Sequence, residues 1–278
     1  MKITIGGITA SSDASRGWIL AKLSGWLSLT ESKADEVERP QAHGAFDPGT
    51  DWRTGAGFTV TLSYHGENPA ELELALRELK GIAKSDALID CMVETDAGVT
   101  SRMVSVRKID IPGLTFMNFM SGIAVDLLAP DPFAYGASSN ASTGLPKAGG
   151  GVRFPMQFPA DFGVAGDAGR AVFTNTGTAP TPLKFKVSGG MSDGFSLRCV
   201  ETGDTLTFKR PLDVSDYVLL DSSDASVLLN GVSPVSGFLV QDDWWTVPPG
   251  GTCTVQFNSI GVVYGVPTLE LSGAPAYF

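Results

Sequence analysis

Only one stretch of this 278-residue chain combines helical periodicity with helical length, which confines the chain to folds built mainly from strands. The stretch is "NPAELELALRELKGIAKSDA", Asn68 to Ala87. Asn68 can act as N-cap, Pro69 suits the first helical position, and Glu71 supplies the acid of a capping-box variant. Leu72, Leu76, Leu79 and Ile82 or Ala83 form a stripe at helical spacing. The pattern predicts a helix over Asn68–Ala83 whose stripe faces a core, with a partner site as the rival reading.

The surroundings read as strands. Lys2–Ile5, Trp18–Leu23 and Trp26–Leu29 are short β-prone runs cut by glycines. Thr30 to Gly57, "TESKADEVERPQAHGAFDPGTDWRTGAG", is charged and punctuated by Gly and Pro; a polar loop of this length belongs at an interface. In "FTVTLSYHG", Phe58, Val60, Leu62 and Tyr64 alternate with Thr59, Thr61 and Ser63, as in a half-buried strand. Strands over Ala87–Glu94 and Val99–Ile109 flank the hairpin turn "TDAG". A further strand pair is expected within Leu114–Leu128.

The stretch "DLLAPDPFAYG" marks a boundary. Ile123, Val125 and Leu127 point one way, and Ala124, Asp126 and Leu128 the other. Pro130 ends the strand because it has no N–H for the ladder. The carboxylate of Asp131 can accept the N–H of Phe133 in an Asx-turn, making Pro130, Asp131 and Pro132 a stiff structural corner rather than a catalytic site. "GASSNASTGLPKAGGGVRFP" then reads as a linker. The expected organisation is an α+β domain over 1–136, a linker over 137–155 and an all-β domain over 156–278. The last is a run of short strands with turns about every 8–12 residues, as in a β-sandwich or jelly roll.

The chemistry is sparse. The net charge of −10 is split evenly about Ala148, and no basic patch favours a specific grip on nucleic acid. Cys91, Cys199 and Cys253 are odd in number and far apart in sequence, which reads as three small buried hydrophobes rather than a disulfide framework or a metal site. The N-terminus lacks the apolar core of a signal peptide, and no run approaches the ~18–20 apolar residues of a membrane span. His43 and His65 have no nucleophile motif beside them. Asp221–Asp224 and Asp242–Asp243 could hold a cation, but "DSSDAS" lacks the Gly and distal Glu of a calcium loop and reads as a solvated turn. No catalytic residue, metal ligand or cofactor is expected. Trp244 and Trp245 are the side chains suited to contacting a sugar or a protein partner. As strand neighbours they face opposite ways, one toward the core and one partly exposed.

The order of motifs resembles the siphophage distal-tail (minor tail) protein family. "LLAPDPFAY" resembles that family's strand end, and "AHGAFDPGTDWRTGAGFTVTLSYHG" its polar loop and following strand. "VFTNTGTAPTPLKFKVSGG", "VETGDTLTF", "LLNGV" and "DDWWTVPPGGTCTVQF" resemble its second-domain Asn-x-Gly strand, Thr-Gly hairpin, Asn-Gly turn and Trp-rich strand. "DWRTGAGFTVTL" departs from the family's usual arginine just before this strand. The resemblance implies a tail-tube-like first domain, a sandwich or barrel with one helix, that forms a homo-oligomeric ring of six. It also implies a galectin-like second domain. Implied partners are the tail tube protein, the tail-tip or baseplate hub protein and the tape measure protein, in a virion tail made in the host cytoplasm. A carbohydrate-binding β-sandwich module is the alternative. A tail-associated hydrolase would need His43 or an unmarked carboxylate pair.

Overall fold

The computed structural model describes residues 1–35, 37–47, 49, 52–84, 87–113, 117–147 and 168–278. The chain divides into two units, Met1–Gly136 with Tyr277–Phe278, and Ala137–Ala276.

The first unit holds β1 (Lys2–Ile5), β2 (Ile8–Ser11), β3 (Gly17–Ser24), β4 (Ala56–His65), α1 (Pro69–Gly81), β5 (Ile89–Thr95), β6 (Gly98–Asp110), β7 (Phe119–Ala129) and β8 (Ala134–Tyr135). Seven strands run in the order β6-β5-β1-β2-β3-β4-β7, and a further β6–β7 pairing joins the ends into a barrel. Closure occupies both sheet edges, so neither leaves a row of unpaired backbone groups. β6 makes it possible by length: Gly98–Val104 pair with β5, and Ser105–Asp110 pair with β7. Register irregularities at Leu20/Lys22, Leu62/Tyr64 and Val106/Lys108 interrupt three of the ladders. Such bulges bend strands and increase twist, which a small barrel needs.

The two-residue period decides what enters the core. Phe58, Val60 and Leu62 on β4 stand opposite Leu127, Val125 and Ile123 on β7, and all six are at most 4% exposed. Helix α1 buries Leu72, Ala75, Leu76 and Leu79 in the same core. Its cap is tight: Asn68 Oδ1 accepts the Glu71 N–H at 2.9 Å. Glu71 reaches back one residue beyond the cap, accepting the Glu67 N–H at 2.6 Å and the Tyr64 hydroxyl at 3.0 Å. The helix ends at Gly81 rather than Ala83, and Ile82–Lys84 tighten into a 3₁₀ turn. Glycine is a poor interior helix residue, which favours the stop. Ile82 packs partly against the core while Ala83 is exposed.

Three expectations for this unit need correction. Trp26–Leu29 is not a strand: Gly25 turns the chain at φ +90°, in space where a side chain would meet the Gly57 carbonyl and Phe58. Trp26 then folds into the core, while Leu27 and Leu29 stay exposed. Strand β2 was hidden by its Gly- and Ser-rich flanks. One strand, β7, replaces the pair expected in Leu114–Leu128, of which residues 114–116 lie outside the described residues. The described residues of the polar stretch Thr30–Gly57 make an irregular hairpin, laced by Lys33 N–H to Trp52 O at 2.7 Å, Thr54 N–H to Glu31 O at 2.9 Å and Phe46 N–H to Val37 O at 2.9 Å.

The second unit holds β9 (Ser139–Gly144), β10 (Arg170–Thr174), β11 (Thr181–Met191), β12 (Phe195–Cys199), β13 (Thr205–Phe208), β14 (Tyr217–Asp221), β15 (Ser226–Leu229), β16 (Ser233–Pro234), β17 (Leu239–Asp242), β18 (Thr246–Val247), β19 (Thr252–Ser259) and β20 (Val263–Gly273); the chain ends on β21 (Ala276–Tyr277). One sheet runs β10-β19-β12-β13-β17, and the other β16-β15-β14-β11-β20-β9 with β18 on β11. Residues from both sheets share one core that includes Phe185, Phe195, Phe208 and Phe257. The unit is a β-sandwich.

Ser139–Gly144, expected within a linker, is strand β9, paired with β20 from Ser139–Gly273 to Gly144–Thr268. Its small residues lack strand propensity, but an edge strand needs only backbone pairing and a neighbour. Residues 148–155 of the expected linker lie outside the described residues. Strand β20 also runs through Pro267, a residue that demotes a strand in sequence. The partner β11 bulges between Ser188 and Gly190, so nothing there requires the missing N–H. Gly189 sits at φ +109°, and a β-carbon there would lie 2.6 Å from Pro267 Cα.

The carboxylate of Glu71 is held below the usual range, first by the Glu67 N–H and then by the Tyr64 hydroxyl. A depressed folded pKa stabilises above the unfolded value, and that stabilisation is lost as pH falls through the folded one. In urea titrations the unfolding midpoint of Glu71→Gln should therefore fall less on acidification through the carboxylate range than that of the wild type.

Candidate functional site

The corner after β7 is built as a latch. Asp131 Oδ1 lies 3.0 Å from the Phe133 nitrogen, the geometry of an Asx-turn, and Oδ2 accepts the Tyr135 hydroxyl at 2.7 Å. Phe133 meets the Phe278 ring edge-on at 5.2 Å. With Pro130 and Pro132 fixing φ on either side, the carboxylate is spent on local geometry.

Nearby in sequence, β6 contributes a buried cation. Arg102 is 3% exposed, donates from Nη1 to Trp26 O at 3.0 Å and stacks over the Trp26 ring at 4.7 Å. Burial lowers its pKa, while Cys91 and Asp131 act in the opposite sense. Cys91, its cross-strand partner, is buried too, and desolvation pushes its thiol up to about 12. The group is a core clamp that fixes the Trp26 turn.

The tryptophans lie just after β17 in an extended connection, not within a strand. Trp245 is 6% exposed and packs edge-on against Phe185 at 5.4 Å. Trp244 is half-buried against the same core. An open groove crosses β9, β11 and β20 beside Lys184, Lys186 and Glu270, and neither tryptophan lines it.

The histidines and the acids singled out in the sequence serve local structure. His65 Nδ1 lies 3.0 Å from the Ser15 carbonyl, and its ring sits edge-on to Phe119; His43 is exposed in the hairpin. Asp221 accepts the Ser223 N–H and hydroxyl and pairs with Lys184 at 2.8 Å. Burial pushes its pKa up, but Lys184 and Ser223 outweigh that and hold it low. Asp224 caps the Ser226 N–H, and Asp243 accepts from Gln241. All are turn-forming acids.

One constellation was missed. Cys199, Glu201 and Cys253 place their ligand atoms within 4.8 Å of one another. The sulfurs are 3.5 Å apart, and Glu201 Oε2 is 3.5 Å from Cys199 Sγ. Cys199 ends β12 and Cys253 is the second residue of β19, and the Cys199–Val255 pairing sets them diagonally on one face. The sequence carried half the signal, a Cys-x-Glu spacing; the third member arrives only through strand pairing across fifty residues.

The exposed apolar side chains gather elsewhere. The long hairpin presents Val37, Phe46 and Trp52, the last 70% exposed, and the barrel exterior presents Met92, Val99 and Met103. These are exposed apolar surfaces rather than chemical centres.

Residues 176–264 match the family model for the siphovirus-type tail component, C-terminal domain. The matched span lies within the sandwich, which is thus similar to a siphovirus-type tail component. The resemblance to the distal-tail family, drawn from ordered motifs, is thereby borne out. Among curated proteins, none matches the sequence. Among solved structures, the Dit (gp 19.1) protein of phage SPP1 aligns over 100% of this chain and 99% of its own, with a TM-score of 0.68 and 10% identity. That protein is described as a paradigm of the hub adsorption apparatus in phages infecting Gram-positive hosts. A chain of the phage P2 baseplate in its activated conformation aligns over 98% and 96%, with a TM-score of 0.57 and 11% identity. At such identities the likeness is one of fold.

In the sandwich the Asn-x-Gly motif has a physical role. Asn175 is fully buried, donates from Nδ2 to Ala179 O at 2.8 Å and Val247 O at 3.0 Å, and accepts the Gly177 N–H at 2.9 Å. It thus clamps β18 to the start of β11. Gly177 is required because a β-carbon there would collide with the Ala276 carbonyl.

Trp245→Ala should lower the unfolding free energy by about 3–5 kcal/mol, as for other buried aromatics. Trp244→Ala should cost less and leave near-UV circular dichroism of the remaining aromatics in place. Equal losses for the two variants in urea denaturation would contradict the assigned burial.

Proposed function

We propose that this protein is a structural component of a long-tailed phage virion. Six copies form a ring at the distal end of the tail tube, joining it to the baseplate or tail tip around a channel for DNA. The observation that carries this reading is the family-domain match at 176–264, set within a fold likeness that runs the whole chain. In this reading the barrel is tail-tube-like, the sandwich is galectin-like, and the Pro130–Asp131–Pro132 corner stiffens the exit from the barrel. The partners are the tail tube, the hub protein and the tape measure protein.

Physical features support it. A closed barrel offers no free edge strand, so association must use side chains. The hairpin with Val37, Phe46 and Trp52 supplies apolar side chains that another copy would cover. An excess of acid, −10 per chain, lets DNA pass without adhering. Sugar binding has less support, because Trp245 is core and Trp244 is half-covered by it.

Negative-stain microscopy and light scattering of the purified chain mixed with its tail-tube and tail-tip proteins should show rings of six with open centres. Phe46→Asp combined with Trp52→Ala should abolish rings while leaving the far-UV spectrum unchanged. Dispersed chains of 29.1 kDa even beside those partners would overturn the reading.

A further inference from the structure

We propose that Cys199, Glu201 and Cys253 form a zinc-binding site at one end of the five-stranded sheet of the sandwich, with a fourth position open to water. This inference is independent of the ring reading.

The distances favour a shared ion. Two thiolates at about 2.3 Å from a tetrahedral zinc lie roughly 3.7 Å apart, and a thiolate and a carboxylate oxygen about 3.5 Å apart. The observed separations are 3.5 Å for Cys199–Cys253 and for Cys199–Glu201, and all three ligand atoms lie within 4.8 Å of one another. A disulfide fits less well. The β12–β19 register makes the cysteines diagonal neighbours, whose Cα atoms typically stand about 7–8 Å apart, whereas a disulfide wants roughly 4.4–6.8 Å.

The surroundings enclose the two sulfurs. Both cysteines are 2% exposed, while Glu201 reaches the site from the solvent side. Glu201 is already oriented, since its Oε2 accepts the Thr254 N–H at 2.8 Å. The second, independent observation is Trp245. Its buried Nε1–H has no regular hydrogen-bond partner, and the neighbour it faces is the Cys253 sulfur. A neutral thiol is a weak acceptor; a metal-bound thiolate is a good one, and outer donors of this kind tune metal sites. Binding releases two thiol protons to solvent, Glu201 enters as carboxylate, and the set of two thiolates, one carboxylate and Zn²⁺ carries a net charge of −1. Softer sulfur ligands select zinc over calcium or magnesium. The ion would join β12, its following turn and β19.

The test uses the full chain, reduced and metal-free. Addition of Co²⁺ should produce a thiolate-to-cobalt charge-transfer band that saturates at one equivalent and is displaced by one equivalent of Zn²⁺. The band should vanish in the double variant Cys199→Ser/Cys253→Ser and persist in Cys91→Ser. Trp245→Phe should weaken zinc binding by about 10–100-fold, the usual effect of an outer-shell loss. Zinc-edge X-ray absorption of the wild-type zinc form needs no variant and should show two sulfur neighbours. No cobalt band, a band that survives the double variant, a zinc shell without sulfur, or a native Cys199–Cys253 disulfide by mass spectrometry would each overturn the proposal.

Discussion

The first unit depends on the β6–β7 ladder. All seven strands would still pair in an open sheet without it, but both edges would then face solvent. Ser105–Asp110 on β6 and Ala124–Leu128 on β7 close that gap. Closure turns one face of every strand inward, so Val60, Val104, Ile123 and Val125 become fully buried rather than half-covered. The hydrophobic effect then rewards the closure that the hydrogen bonds permit. Helix α1 adds its leucines to the same core, and Arg102 with Trp26 fills a position where an aliphatic side chain would have been simpler. That cation is tolerated because its guanidinium meets a carbonyl and a ring face.

The sandwich solves a different problem. Its two sheets must interlock through turns and exceptions, and most of its unusual residues serve those exceptions. Asn175 binds four backbone groups in a dry place, and Gly177 lets the Ala276 carbonyl approach. Gly189 bulges where Pro267 cannot donate. The same ladder logic brings Cys199 and Cys253 into contact, since strand pairing cares about register and not about sequence distance.

A division follows between inside and outside. Alternation and periodicity are consumed by the two cores. Val37, Phe46 and Trp52, on a hairpin whose register no alternation sets, are left uncovered. In a chain read as a ring component, that is where assembly would find its contacts, because the core residues have no surface to offer.

The sequence by itself determined the local rules: the helix cap at Asn68, the two faces of β4 and β7 and the Asx-turn at Asp131. Each follows from the covalent geometry of a few consecutive residues. Tertiary structure decided what local rules cannot express. It made a strand of Ser139–Gly144, whose composition reads as linker, because β20 offered a backbone edge. It folded Trp26 inward, because Arg102 and Phe58 waited across the barrel. It carried β20 through Pro267, because Gly189 bulged opposite. It assembled Cys199, Glu201 and Cys253, because a ladder joined residues fifty apart. In each case the deciding partner lay far along the chain, and only strand pairing fixed who that partner was.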